Sequence, residues 1–167
     1  MSPRKFDSEI KIDPYDRWIF RGNEITKEEI LRYFRENLHQ TEEAVYIQNV
    51  FGNLSEHGFL EIQGYPCHVL HLEIEGEELL LYCDDGKQFR FPDFEIYQTK
   101  EGALMGIHSS QPLVKYRFTW NAAKELGDIL EESNDSIYFK FGEIKMELPI
   151  YEGEVPVPLP NSYGSSV

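Results

Sequence analysis

The sequence predicts an α+β fold, mainly antiparallel sheet with two helices, and three observations predict it. Short runs rich in apolar and β-branched residues, with turn residues between them, fill most of the chain: CHVLHLEI (67–74), ELLLYC (78–83), FEIYQT (94–99), LVKYRF (113–118). Only two stretches carry the apolar spacing of a helix. Those two stretches also share one plan. TKEEILRYFRENLHQTEEAVYIQ (26–48) and TWNAAKELGDILEESNDSIYFKF (119–141) each read Thr, helix, acids, then Tyr in a strand.

Taken in order, residues 1–13 are polar and read as loose. DRWIFRG (16–22) is a short strand ending in a Gly turn. Thr26 is placed to N-cap the first helix, with Glu29 three residues on as a capping box requires. Ile30, Leu31, Phe34 and Leu38 form its apolar stripe. EAVYIQNV and GFLEIQG follow as strands. In the centre, CHVLHLEI, ELLLYC and QFRF are strands, and Asp85-Gly86 marks a hairpin. FEIYQT, ALMGIH and LVKYRF continue the meander. Thr119 or Asn121 caps the second helix, whose inward residues are Ala122, Ala123, Leu126, Ile129 and Leu130; SIYFKF and EIKMEL then turn about Gly142. Setting Tyr46 against Tyr138 brings Leu38 against Leu130 and Phe34 against Leu126, which is a duplicated strand–helix–strand motif. The expected division is an N-terminal part over residues 14–64, a β-rich C-terminal part with one helix over 65–150, and a flexible Pro-rich tail over 151–167.

Thirty acids face sixteen bases, a net charge of −14. Such a surface repels phosphate backbones and anionic lipid, which argues against a DNA or RNA duplex or a membrane as partner. No apolar run reaches the ~20 residues of a membrane span. MSPRKFDSEIK has no apolar leader core, so a reducing, cytoplasmic setting with Cys67 and Cys83 as free thiols is expected.

No catalytic or metal site is assigned from the sequence, and its cofactors are unknown. There is no G-x-S-x-G, no Walker-type loop and no dinucleotide fingerprint. Strand alternation puts Cys67 and His71 on one face, where they would co-ligate a metal with Cys83 or Asp85, but the spacing is not a recurrent zinc pattern. The scarce bases define the candidate ligand site instead. Arg17, Trp18 and Arg21 precede the first helix, Arg90 lies in a strand, and Tyr116 and Arg117 precede the second helix. Arginine forks suit phosphate, and an aromatic neighbour offers a base a stacking surface.

RWIFRGNEITKEEILRYFRENL resembles the opening of a bacterial family of unknown function, domain of unknown function 1285. The matching positions are Trp18, Gly22, Ile25, Phe34 and Leu38. PLVKYRFTWNAAKELGDIL is similar to that family's second helix entry at Pro112, Val114 and Leu126. A eukaryotic family of unassigned proteins, catalogued as 0598, is similar in layout. The resemblance spans about residues 14–148. It implies a two-part fold with a repeated motif, the C-terminal part resembling a pleckstrin-homology-like barrel, and a nucleotide-like anion held between the parts. The chain departs from the bacterial pattern at IQNVFGN, where the family carries Thr-Pro. The function expected is a ligand-binding or signalling module, more a binder than an enzyme. The alternatives are a small hydrolase or metal-dependent enzyme using His71, Cys67 or His108, and a protein-interaction scaffold using sheet edges or the tail.

Overall fold

The computed structural model describes residues 2–163. Its chain divides into two compact units. Of the described residues, 2–66 and 154–163 form the first, and 67–153 form the second. Half of the chain is strand, the sheets are largely antiparallel, and one is curled into a half-barrel. This is the α+β fold the sequence predicts. Among the described residues, no helix is long and apolar enough to cross a membrane.

In unit 1 the elements are β1 (Arg4–Ile12), β2 (Trp18–Phe20), β3 (Asn23–Glu24), α1 (Glu28–Glu36), β4 (Leu38–Gln40), β5 (Val45–Phe51) and β6 (Leu54–Ile62). They build one sheet in the order β3-β2-β1-β6-β5-β4. Only β1 and β6 pair in parallel. β1 corrects the expectation of a loose start: Ile10 and Ile12 are buried, and pairing with β6 supplies the backbone bonds that local sequence could not reveal. The strand shifts register between Asp7 and Ile10, where Glu9 takes φ 62°.

Helix α1 begins one residue later than its cap signal. Lys27 is the N-cap and makes no side-chain capping bond, so Thr26 and Glu29 form no capping box. Leu31 is buried, but Ile30 is exposed and Leu38 has already left the helix to open β4. The helix ends at Asn37, whose backbone N–H reaches back to Phe34 and Arg35.

Unit 1 also includes the C-terminal segment. Val157 exchanges two backbone hydrogen bonds of 2.8 Å with Ile62 and is buried. Its neighbours Pro156 and Pro158 lack N–H groups, so the segment joins the sheet at one residue between two prolines. The tail expected to be flexible is therefore anchored there.

In unit 2 the elements are β7 (Cys67–Glu75), β8 (Glu78–Cys83), β9 (Gln88–Arg90), β10 (Phe94–Gln98), β11 (Leu104–His108), β12 (Lys115–Phe118), α2 (Trp120–Gly127), β13 (Leu130–Ser133), β14 (Ser136–Phe141) and β15 (Ile144–Glu147). One sheet runs β10-β11-β12-β7-β8-β9, with β12 and β7 parallel; β13, β14 and β15 form a second. Phe94 seats its ring where Gly106 has no side chain. A Cβ there would lie 2.1 Å from the ring.

The duplicated motif is visible as register. After α1, Leu38 opens a strand and pairs with Ile47; after α2, Leu130 opens a strand and pairs with Phe139. His39 pairs with Tyr46 as Glu131 pairs with Tyr138. The next hairpins differ in length, turning at Gly52 and at Gly142.

Candidate functional site

Helix α2 positions the chemistry of unit 2, and it does so through a bulge. The β7–β8 register shifts between Val69 and His71. Leu70 is the extra residue, and its carbonyl turns toward the start of α2. Thr119 N–H continues the parallel β12–β7 ladder onto Val69 O at 3.0 Å, and Asn121 Nδ2 donates to Leu70 O at 3.2 Å. The Thr119 hydroxyl accepts from Ala122 N, so Thr119 is the helix cap.

The bulge also breaks the expected Cys67–His71 face. Cys67 is buried whereas His71 is exposed. His71 Nδ1 lies 2.9 Å from Glu125 and Nε2 lies 3.3 Å from Glu73. The Glu125 bond, against some desolvation and with help from Glu73, raises the imidazole pKa above its ordinary value. Both cysteines are buried free thiols, and burial pushes the Cys83 thiol well up. Among the described residues, no group of three or more His, Cys, Asp or Glu is placed to hold a metal.

Of the six candidate ligand residues, Arg17, Trp18 and Arg21 lie in unit 1, and Arg90, Tyr116 and Arg117 in unit 2. Arg17 is held by Asp13, Nε to Oδ2 at 2.6 Å. Burial opposes ionisation of Asp13, but the N–H groups of Arg17 and Tyr15 and the Arg17 guanidinium outweigh it and keep the carboxyl below its usual range. Arg21 is held by Glu9, whose Oε2 accepts from Nε at 2.9 Å and Nη2 at 2.6 Å. Trp18 is a core residue, 1% exposed, stacked on Phe34 at 5.8 Å with its indole N–H donated to Pro66 O. Tyr116 is likewise core, 2% exposed, its hydroxyl given to Asp85. Neither ring is available to stack on a ligand. Arg117 follows Tyr116 on β12 and is half-buried.

Arg90 differs from Arg17 and Arg21. Its side chain is about as open as theirs, 60% exposed against 51% for Arg17 and 65% for Arg21, but it meets Glu78 only at 3.7 Å. It lines a cavity of about 270 Å³ with Leu80, Gln88, Phe89, Asp93 and His108. Phe89 is the floor, packed on His108 at 4.8 Å, Phe94 at 5.1 Å and Tyr116 at 5.5 Å. His108 Nδ1 lies 2.6 Å from Ser110 Oγ and accepts from the Ser110 N–H. Sequence reasoning named Arg90 and His108 but had no means to join them, because β9 and β11 lie on either side of the sheet order. It also missed the pair His68–Asp84, where Nδ1 meets Oδ2 at 2.8 Å while the other oxygen accepts the His68 N–H. The only sequence signal for that pair was a His and an Asp flanking one hairpin.

No family model matches the chain, and no curated protein matches it. Among solved structures, it is similar to a DUF1285 family protein from Silicibacter pomeroyi DSS-3, with TM-score 0.67 at 15% identity over 88% of this chain and 83% of that one. A DUF1285 family protein from Shewanella baltica OS155 gives TM-score 0.49 at 10% identity over 66% of this chain and 84% of that one. The chain thus has the fold of a DUF1285 family protein, the family whose motifs its sequence resembles.

Proposed function

We propose that the protein is a ligand-binding module whose unit 2 cavity takes a small nucleotide-like anion. The observation that carries this reading is Arg90. The Arg17 and Arg21 guanidinium groups are held by carboxylates at 2.6 Å, whereas Arg90 meets Glu78 only at 3.7 Å and lines a cavity that Phe89 also lines. A phosphate or carboxylate meets the guanidinium fork, and a planar group lies against Phe89 and His108. At about 270 Å³ the cavity lies just below the ~300–1,000 Å³ range of small-molecule sites, which suits a nucleoside monophosphate better than a dinucleotide.

The Ser110–His108 contact supports a hydrolase less well. Ser110 donates to His108 from its own backbone, two residues away, which is a local turn closure. An acyl-transfer pair needs a third group to orient the imidazole, and no carboxylate bonds His108 among the described residues. A thermal-shift titration with AMP, GMP and inorganic phosphate tests the binding reading. A concentration-dependent rise in melting temperature is expected for a monophosphate, lost in Arg90→Glu. No rise, or an equal rise in the variant, overturns it.

A further inference from the structure

β15 is the outer strand of the sheet β13-β14-β15. The direction of its hydrogen bonds follows from its neighbours. Lys140 N–H donates to Ile129 O at 2.8 Å, so the even-numbered residues of β14 face β13. Leu148 N–H donates to Ile137 O at 2.8 Å, so the odd-numbered residues face β15. Phe139 pairs with Met146 and Phe141 with Ile144. Met146 and Ile144 therefore direct their backbone groups at β14, and Lys145 and Glu147 turn theirs outward. Among the described residues nothing takes those outward N–H and C=O groups.

The side chains of β15 divide by the same alternation. Met146 shares a face with Phe139 and Phe141, which are buried. Met146 itself is 43% exposed, because the core face stops at this strand. Lys145 and Glu147 share the opposite face, where Lys145 Nζ lies 4.8 Å from the Tyr138 ring centroid. Two other edges of unit 2 are closed to self-pairing. β10 is covered by its own chain, since Gln98 N–H donates to Pro149 O and Gln98 O accepts from Tyr151 N–H. On β13, whose Glu131 pairs with Tyr138, a two-fold pairing would set Glu131 directly opposite its own copy.

We propose that β15 pairs antiparallel with β15 of a second copy of the chain, about a two-fold axis at Met146, joining two three-stranded sheets edge to edge. The outward N–H and C=O of Lys145 exchange hydrogen bonds with those of Glu147 of the second copy, and the axis repeats the exchange. The same register sets the Lys145 ammonium beside the Glu147 carboxylate of the second copy, again twice, and covers Met146 with Met146. The sequence Ile-Lys-Met-Glu is self-complementary in this sense alone, because a parallel in-register pairing would oppose Lys145 to Lys145. The net charge of −14 on each chain opposes association at long range, and about 0.15 M salt screens it beyond ~8 Å. The surface shares no residue with the Arg90 cavity, so dimerisation and nucleotide binding succeed or fail separately.

Sedimentation equilibrium of the full chain in about 0.15 M salt tests the pairing. A short strand on each side is well below the ~20–30 residues of a standard interface, so a reversible dimer with a dissociation constant of about 0.1–1 mM is expected. Lys145→Glu and Glu147→Lys each set like charges opposite one another, and each alone should dimerise at least about tenfold more weakly. Mixed in equal amounts, the two variants should associate as the wild type does, because each supplies the charge the other needs. Lys145→Pro removes an outward N–H without touching the β14 ladder, and should give a folded monomer by circular dichroism. A chain that stays monomeric to about 1 mM overturns the proposal. So do single variants that dimerise unchanged, a mixture that does not recover association, or assemblies that grow beyond the dimer.

Discussion

The Tyr116 hydroxyl donates to the carboxylate of Asp85, and both side chains are buried to within 2% of full enclosure. Asp85 sits where the β8–β9 hairpin turns, and its other oxygen accepts the Lys87 N–H at 3.0 Å. Desolvation raises the Asp85 pKa above the ordinary carboxylate value, although the Tyr116 and Lys87 donors pull the other way. A residue whose sequence position pointed to a ligand therefore satisfies a buried acid instead.

Tyr116→Phe removes that donor while keeping the ring. An unsatisfied buried acceptor costs about 1–3 kcal/mol, read as a lower urea midpoint. The folded-state pKa of Asp85 already lies above its unfolded value, so its contribution to stability falls as pH rises through the folded value. Loss of Tyr116 raises that pKa further. The variant's deficit should therefore be larger at about pH 7 than at about pH 4.

His71 gives the second pH dependence. Its imidazolium is bonded to Glu125 on α2 and to Glu73 on β7, and its pKa is raised. The stability it adds is fully present below the unfolded value of about 6.5 and is lost as pH rises through the higher folded value. The difference in unfolding midpoint between wild type and His71→Gln should shrink between about pH 6 and pH 9. A constant difference would show that the ring acts by packing alone.

Thr119→Ala removes the side-chain cap of α2 and should cost about 1 kcal/mol. Thr26→Ala should cost little, because the described structure gives that side chain no capping bond. Urea unfolding of the two variants distinguishes the two threonines, which the sequence presents as equivalent.

Gly106→Ala should destabilise by about 1–3 kcal/mol, as overpacking of a filled core does. The added Cβ would stand 2.1 Å from the Phe94 ring and 3.0 Å from Glu95 O. Gly127→Ala, with nothing within 4 Å, is the matched control and should be neutral or slightly stabilising. Equal losses in the two would show that the ring moves aside freely.

Local sequence determined the strands β5 to β12, β14 and β15, with the hairpin turns at Asp85-Gly86 and Gly142, because those depend on alternation and turn chemistry within a few residues; it missed β13, reading Ile129 and Leu130 as part of a helix that ends at Gly127. It offered Thr119 or Asn121 as the cap of α2, of which Thr119 is the cap, and it determined the repeated helix–strand plan, which the common register of Leu38 and Leu130 carries through. It placed Arg90 and His108 among residues of interest but left them apart.

Tertiary structure decided the rest. β1 is polar along much of its length, and its partner β6 lies some fifty residues away, so no local pattern announces it. Val157 is buried only because Ile62 offers a pair of hydrogen bonds across most of the chain. The bulge at Leu70 reverses the expected face of His71, and the Leu70 carbonyl accepts from the Asn121 side chain on α2. Which arginines are held by a carboxylate was decided the same way. Arg17 and Arg21 meet Asp13 and Glu9 through turns and strand pairing, whereas the nearest carboxylate to Arg90 stands at 3.7 Å. Periodicity reports what a segment would bury, and only the folded chain supplies what it is buried against.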